Sequence, residues 1–249
     1  MLTDAHCHIF NEDYQDIDKI IQNSIENGVD KLINNATDIN SSKELLDLVK
    51  IYPNMYGAIG IHPEFANNYS NEDIEFIKEN INNKKIIAIG EIGLDYYYTK
   101  ENKDKQIELF EYQLKIAQKF NIPVIIHNRD ATSDIINTLR KYKVRGFIHC
   151  FNGSLQTAQE YIKMGFLLGI NGVVTFKNCK LKEVLQRVSL TNIVLETDCP
   201  YLTPEPNRGK KNEPKYIKDI ALFVADIYNT SLSQVEIITN DNIRRIFDI

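Results

Sequence analysis

Two of the five histidines in this 249-residue chain lie two apart, at His6 and His8 in the run Leu2-Thr3-Asp4-Ala5-His6-Cys7-His8. In an extended strand, residues i and i+2 share a face, so both imidazoles project to one side about 7 Å apart along the strand. Neutral imidazole is the commonest metal ligand of proteins. A His-x-His pair alone is a weak signal, and each further ionisable residue on an apolar strand has a plain reading as a hydrogen-bonded core residue. The other candidates are His62, Glu91, His127, His149 and Asp198, each closing a short apolar run. Their common placement separates them from isolated core polar groups.

Those runs are the strand candidates Leu2–His8, Lys31–Ala36, Tyr56–His62, Ile86–Glu91, Val124–His127, Gly146–Cys150, Phe166–Ile170 and Ile193–Asp198. Amphipathic stretches of helical period separate them, for example Asp16–Asn27 with Ile17, Ile20, Ile21 and Ile25 on one face, and Asn102–Phe120. Beyond the eighth run, residues 216–247 read as two helices with Ser231 as the cap between them. Eight strands alternating with helices over this length predict a single (β/α)8 TIM barrel spanning residues 1–249. A doubly wound open sheet would show a glycine-rich phosphate turn after an early strand, and none is present. In a barrel the strand C-termini converge on one mouth, where active sites are built. All five histidines fall there.

The donor set, imidazoles plus carboxylates without thiolates at matching positions, suits Zn²⁺, Mn²⁺, Mg²⁺ or iron in an open catalytic site. Six candidate ligands on five strands exceed what one tetrahedral ion uses. Two divalent ions bridged by Glu91, about 3.5–4 Å apart, would account for them and would clamp a phosphoryl or acyl centre.

Composition narrows the class. Apolar residues make up 43% and charged residues 25%, which supports a sizeable core. The net charge of −5 speaks against a protein that coats nucleic acid generally, but not against an enzyme whose cations neutralise phosphate. One basic cluster, Arg208-Gly209-Lys210-Lys211, reads on its own as a solvated loop. Four scattered cysteines without a C-x-x-C pair, no secretory pattern and no long apolar run lead us to expect a cytoplasmic protein with reduced thiols and no membrane contact.

The runs Thr3-Asp4-Ala5-His6-Cys7-His8, Gly60-Ile61-His62-Pro63, Gly90-Glu91-Ile92-Gly93-Leu94-Asp95-Tyr96-Tyr97, His127-Asn128-Arg129-Asp130-Ala131, His149-Cys150-Phe151-Asn152-Gly153, Glu196-Thr197-Asp198-Cys199-Pro200-Tyr201-Leu202 and Arg208-Gly209-Lys210-Lys211-Asn212-Glu213-Pro214 resemble those of the TatD family. These are metal-dependent deoxyribonucleases of the amidohydrolase superfamily, and the resemblance runs the length of the chain. It implies that His6, His8 and Asp198 hold one ion, that Glu91 bridges, and that His127 and His149 hold the second. It implies catalytic roles for Asp198, as the base that orients or deprotonates water, and for Glu91. His62 becomes a contact for substrate phosphate. The implied activity is hydrolysis of DNA phosphodiesters by a monomeric 3′-to-5′ exonuclease preferring single-stranded ends. A superfamily hydrolase of another ester or amide, such as D-aminoacyl-tRNA, uses the same metal chemistry. A barrel that has lost catalysis is the third reading, disfavoured by the intact ligand set.

Around these residues, Arg129 has a planar cationic fork suited to phosphate, or is a surface arginine at a helix start. Asp4 and Glu196 share strand faces with His6 and Asp198 and either orient ligand imidazoles from behind or form a polar barrel layer. Asp95, Tyr96, Tyr97 and Tyr98 read as a mouth loop whose aromatics pack together. Cys7, on the opposite strand face from His6 and His8, reads as core.

Overall fold

The computed structural model describes residues 1–97 and 101–249; Tyr98, one of the tyrosines singled out above, lies outside them. Eight parallel strands run in sequence order around one sheet: β1 (Leu2–Cys7), β2 (Val29–Asn35), β3 (Met55–Ile59), β4 (Ile86–Asp95), β5 (Val124–Arg129), β6 (Gly146–Ile148), β7 (Leu167–Ile170) and β8 (Ile193–Leu195). The sheet closes past the end of β8, where Asp198 N donates to His6 O at 2.9 Å and His8 N to Cys199 O at 2.7 Å. Helices α1 (Ile17–Glu26), α2 (Ile39–Ile51), α3 (Asn71–Asn80), α4 (Lys103–Phe120), α5 (Thr132–Leu139), α6 (Leu155–Lys163), α7 (Leu181–Leu185) and α8 (Ile217–Tyr228) lie between or after the strands, and α9 (Leu232–Phe247) ends the chain. The architecture is the expected (β/α)8 barrel.

Local chemistry explains the helix starts. Asp16, Asp38, Ser70 and Ser154 each accept a backbone N–H of the first turn of α1, α2, α3 and α6, which satisfies donors a helix leaves unpaired. Ser231 does the same for α9 through Gln234 N, as its sequence position predicted. One apolar cluster takes Ala5, Ile33, Ala58, Ile87, Ile125, Phe147, Leu167 and Val194, one or more residues from every strand. Outward-facing residues of eight strands cannot all meet, so this cluster fills the barrel interior. Ile243, Ile246 and Phe247 of α9 close it below. The larger cluster lies between strands and helices, and fully buried Cys7 belongs to it.

Seven of the eight strands end elsewhere than the apolar runs suggested: β1 and β2 stop one residue early, β3 stops at Ile59, three residues before His62, and β5 runs on to Arg129. β6 and β8 stop at Ile148 and Leu195, so His149 and Asp198 stand on the turns beyond them. β4 instead continues four residues past Glu91 to Asp95. Glycines at 90 and 93 look like strand breakers, but here they let β4 and β5 approach closely. A Cβ on Gly90 would sit 2.8 Å from the Cβ of Ile125, and one on Gly93, with φ +151°, would sit 1.9 Å from His127 O. Gly93 pairs with His127 across that ladder. No helix among the described residues is long and apolar enough to cross a membrane.

Gly93→Ala should therefore cost more than Gly165→Ala, where φ is +88° but no atom lies within 4 Å of the added Cβ. The expected losses are about 1 kcal/mol at Gly165 and at least about 1–3 kcal/mol at Gly93, where overpacking adds to the backbone term. Denaturant midpoints of the two variants measure the difference.

Candidate metal centre

The mouth residues reach one point from five strands. His6 lies near the end of β1 and His8 one residue past it. Glu91 sits mid-way along β4, His127 mid-way along β5, and His149 directly after β6. Asp198 follows β8 in a left-handed turn at φ +57°, a conformation Asp tolerates better than most residues and one common at functional sites. His6 is fully buried, and His8, Glu91, His149 and Asp198 are buried as well.

Four donor atoms converge in the first group. His6 Nε2 and His8 Nε2 face each other at 3.1 Å. Glu91 Oε2 is 3.4 Å from each, and Asp198 Oδ1 is 3.5 Å from each. Four donors placed tetrahedrally about 2.1 Å from one cation stand about 3.4 Å apart, and these separations match. Two imidazole lone pairs cannot face each other at that range without a proton or cation between them. The donor set thus fits a divalent ion.

The second group forms around the other oxygen of the same carboxylate. Glu91 Oε1 lies 2.7 Å from His127 Nδ1, 3.0 Å from His149 Nε2 and 3.8 Å from His62 Nε2. Glu91 thereby touches both groups with different oxygens. The electrostatics are those of a site built for positive charge. Burial alone would raise the Glu91 carboxyl, but the charges of His149 and His6 and the hydrogen bonds of His127 and His149 hold it well below the usual carboxylate range. Asp198 behaves likewise, with burial outweighed by hydrogen bonds from His6 and His8. Against its own burial, His8 is pushed up to about 10 by hydrogen bonds to Asp198 and Glu91. Without a cation, protons on the imidazoles supply the compensating charge.

His62, expected to stand apart from the paired donors, instead packs edge-on against His127 with ring centroids 4.4 Å apart. Its Nδ1 accepts Glu64 N–H at 3.3 Å, and burial lowers its pKa. The same Nδ1 stands 3.5 Å from Glu64 Oε2, while Nε2 faces the mouth, where His62 groups with Glu91 and His127.

The expectation that Asp4 orients a ligand imidazole is corrected. Both its oxygens go to Thr197, to N at 2.8 Å and to Oγ1 at 2.5 Å, so Asp4 holds the segment leading to Asp198. Glu196 stands near the imidazoles without a hydrogen bond to either ring, His6 Nδ1 and His149 Nδ1 both being unpartnered among the described residues. Its Oε1 accepts Cys150 N–H at 2.6 Å and stands 3.6 Å from His149 Nδ1, and it groups with both His6 and His149. Arg129, at the end of β5, stacks its guanidinium 3.8 Å from the Tyr97 ring centroid. The reading of Asp95 as a loop residue is also corrected, whereas Tyr96 and Tyr97 do follow the strand in a loop. Asp95 is the last residue of β4, and its Oδ2 lies 3.1 Å from His127 Nε2. It shares strand parity with Glu91, a relation that exists only because β4 runs on past Gly93. Tyr96 is buried and bonds Asp134, whereas Tyr97 is exposed.

The family model described as TatD related DNase matches residues 3–248. The chain belongs to the TatD family. It is 40% identical to the uncharacterized metal-dependent hydrolase YabD of Bacillus subtilis (strain 168), over all of both chains. It is 35% identical to the uncharacterized metal-dependent hydrolase YcfH of Escherichia coli (strain K12), covering all of this chain and 96% of that one. Among solved structures, the TatD homolog YjjV of Escherichia coli K12 superposes with a TM-score of 0.93 at 26% identity, covering 100% of this chain and 98% of that one. As a TatD-family member this protein is a metal-dependent hydrolase.

Zn²⁺ or Mn²⁺ titrated into chelator-stripped protein should saturate near two equivalents. It should also raise the melting temperature, by about 2.7 kcal/mol of stability at 100 times Kd. Because protons occupy the same imidazoles, binding should release protons and weaken as pH falls. Calorimetry in buffers of different ionisation enthalpy reads both. His6→Ala should lose the first ion selectively, and a melting temperature indifferent to metal and chelator would contradict the assignment.

Proposed function

We propose that this protein is a divalent-metal-dependent deoxyribonuclease that removes nucleotides from the 3′ ends of DNA, with a preference for single strands. The observation that carries the reading is Glu91, a buried carboxylate whose two oxygens each face a separate histidine group. A bridging carboxylate at the meeting point of two donor sets suits a pair of cations set across one reacting phosphate. In this reading His6, His8, Asp198 and Glu91 Oε2 hold one ion, and Glu91 Oε1, His127 and His149 the other. Bound divalent ions would supply Lewis-acid polarisation of the phosphate and a water acidified to near neutral pH.

The chain's own groups do the rest. Asp198, ionised and aimed into the mouth by its left-handed turn, accepts the proton of the attacking water. His62 Nε2–H donates to a phosphate oxygen, and the 3.8 Å from it to Glu91 Oε1 leaves it outside the tighter triad of Glu91, His127 and His149. Arg129 adds a permanent charge at the rim, held flat over Tyr97, a fork that matches phosphate oxygens. Tyr201, 60% exposed, projects beside His8 with ring centroids 6.4 Å apart, an open platform for stacking a terminal base. Asn212, fully buried, pins the Tyr201 loop by donating to Thr197 O at 2.9 Å. It brings the basic run Arg208–Lys211 to that rim. Arg208 lies over Phe176 at 4.1 Å, and Lys211 contacts Asp13 and the Tyr14 ring.

The test is purified protein with Mg²⁺ or Mn²⁺ on end-labelled single- and double-stranded DNA, alongside a D-aminoacyl-tRNA. Stepwise shortening from the 3′ end is expected. Intact DNA together with deacylated tRNA would move the substrate class to an aminoacyl ester. Asp198→Asn should lower turnover by about 10²–10⁴-fold, the range for a positioned acid–base group. His62→Ala should keep full zinc content while kcat/KM on DNA falls by about 1.5–3 kcal/mol, the worth of a charge-assisted hydrogen bond. Loss of one zinc equivalent in His62→Ala would make it a ligand instead.

A further inference from the structure

We propose that Asp95 is a positioning residue for the second cation. It holds the Nε2 proton of His127, so that His127 faces the site through Nδ1. The inference rests on the two-group reading of the centre given above.

The geometry is asymmetric. His6, His8 and His149 all turn Nε2 toward Glu91. His127 alone in the ligand set turns Nδ1 toward it, at 2.7 Å, and points Nε2 the other way, 3.1 Å from Asp95 Oδ2. An imidazole has one proton and one lone pair when neutral, and the partner of one nitrogen sets which form the other presents. A carboxylate can only accept, so where a cation would take the place of the proton between His127 Nδ1 and Glu91 Oε1, Asp95 keeps the remaining proton at Nε2 and leaves the Nδ1 lone pair for that cation. The two strands make this arrangement local. Gly93 pairs with His127 and Asp95 with Arg129, so Asp95 stands two residues further along β4 than the residue opposite His127.

Asp95 is itself held on three sides. Its Oδ1 accepts Tyr97 N–H at 2.9 Å, and its N–H donates to Gln106 Oε1 at 2.9 Å. Gln106, buried in α4, returns Nε2 to the Asp95 carbonyl at 2.9 Å and also reaches Asn102. The backbone and Oδ1 of Asp95 are therefore fixed, with Oδ2 turned to His127. Acceptors of this kind behind a ligand imidazole orient the ring and raise its basicity, and losing one costs about 10- to 100-fold in metal affinity.

The experiment uses zinc alone, without DNA, on the full chain. Competition with a chromogenic chelator gives the affinity of each equivalent, and long-range ¹H–¹⁵N spectra of zinc-loaded protein give the protonated nitrogen of each histidine. The parent protein should show His127 protonated at Nε2. Asp95→Ala should weaken one equivalent by roughly 10- to 100-fold and leave the other unchanged. Asp95→Asn, whose amide oxygen can keep the Tyr97 N–H, then turns its NH2 donor toward His127 and should still weaken that same equivalent, because the Nε2 proton loses its acceptor. His127 protonated at Nδ1 would overturn the proposal without any variant, and so would unchanged affinities in Asp95→Ala. A parallel loss of both equivalents with a lower melting temperature of the metal-free protein would reduce Asp95 to a fold residue. If Asp95→Ala does not fold, the parent spectrum and Asp95→Asn decide. A parent protein that binds one equivalent only would overturn the two-group reading itself, and the first titration reads that separately.

Discussion

A carboxylate buried at the centre of an apolar barrel is costly unless charge of the opposite sign meets it, and at Glu91 that requirement organises the whole mouth. Its neighbours are imidazoles from β1, β5 and from the turns after β3 and β6, each with a nitrogen within 3.8 Å of one of its oxygens. Asp198 adds a second carboxylate to the same group. Imidazoles can answer that charge by taking protons or by sharing cations, and the choice depends on pH and metal. The site is thus a place where positive charge is required and its source is exchangeable, which is the physical basis of a metal-dependent enzyme.

The barrel closes through the same residues. The hydrogen bonds that join the first strand to the segment after the last are made by the backbones of His6, His8, Asp198 and Cys199. Asp4 clamps Thr197, one residue before Asp198, from β1. Ligand positions and ring closure are therefore one structural unit, and distortion of the closing segment displaces Asp198 relative to the two histidines. At the opposite end α9 seals the interior cluster with Ile243, Ile246 and Phe247, so the stability of the floor is separated from the chemistry of the mouth, as barrels generally arrange it.

β4 carries the strongest local constraint. All ten of its residues are buried, and it presents Glu91 and Asp95 on either side of His127. Such proximity to β5 requires glycine at 90 and 93, where a side chain would meet the backbone or side chain of the neighbouring strand. The irregular register between Ile89 and Ile92 lets one strand deliver two carboxylates to one imidazole.

Much of this was legible in the sequence, because periodicity and residue type are local properties. Alternating apolar runs and amphipathic stretches specify strands and helices, and eight strands separated by seven such stretches, with two more helices after the last, leave few ways to bury every apolar face. The meeting of the candidate donors was legible for a related reason. Parallel strands put their C-terminal ends on one side, so His6, His8, Glu91, His127, His149 and Asp198 had to share a mouth. Other features depend on pairing between strands, which no single run records. Only the tertiary structure decided that β4 runs on to Asp95, since its glycines signal a break until β5 lies against them. The packing of β1 against the segment after β8 likewise turned Asp4 to Thr197 rather than to an imidazole, and proximity across the mouth brought His62 against His127. Which nitrogen of His8 and of His127 faces the centre belongs there too, because the acceptor behind each ring, Asn35 O on β2 and Asp95 Oδ2 on β4, comes from another strand.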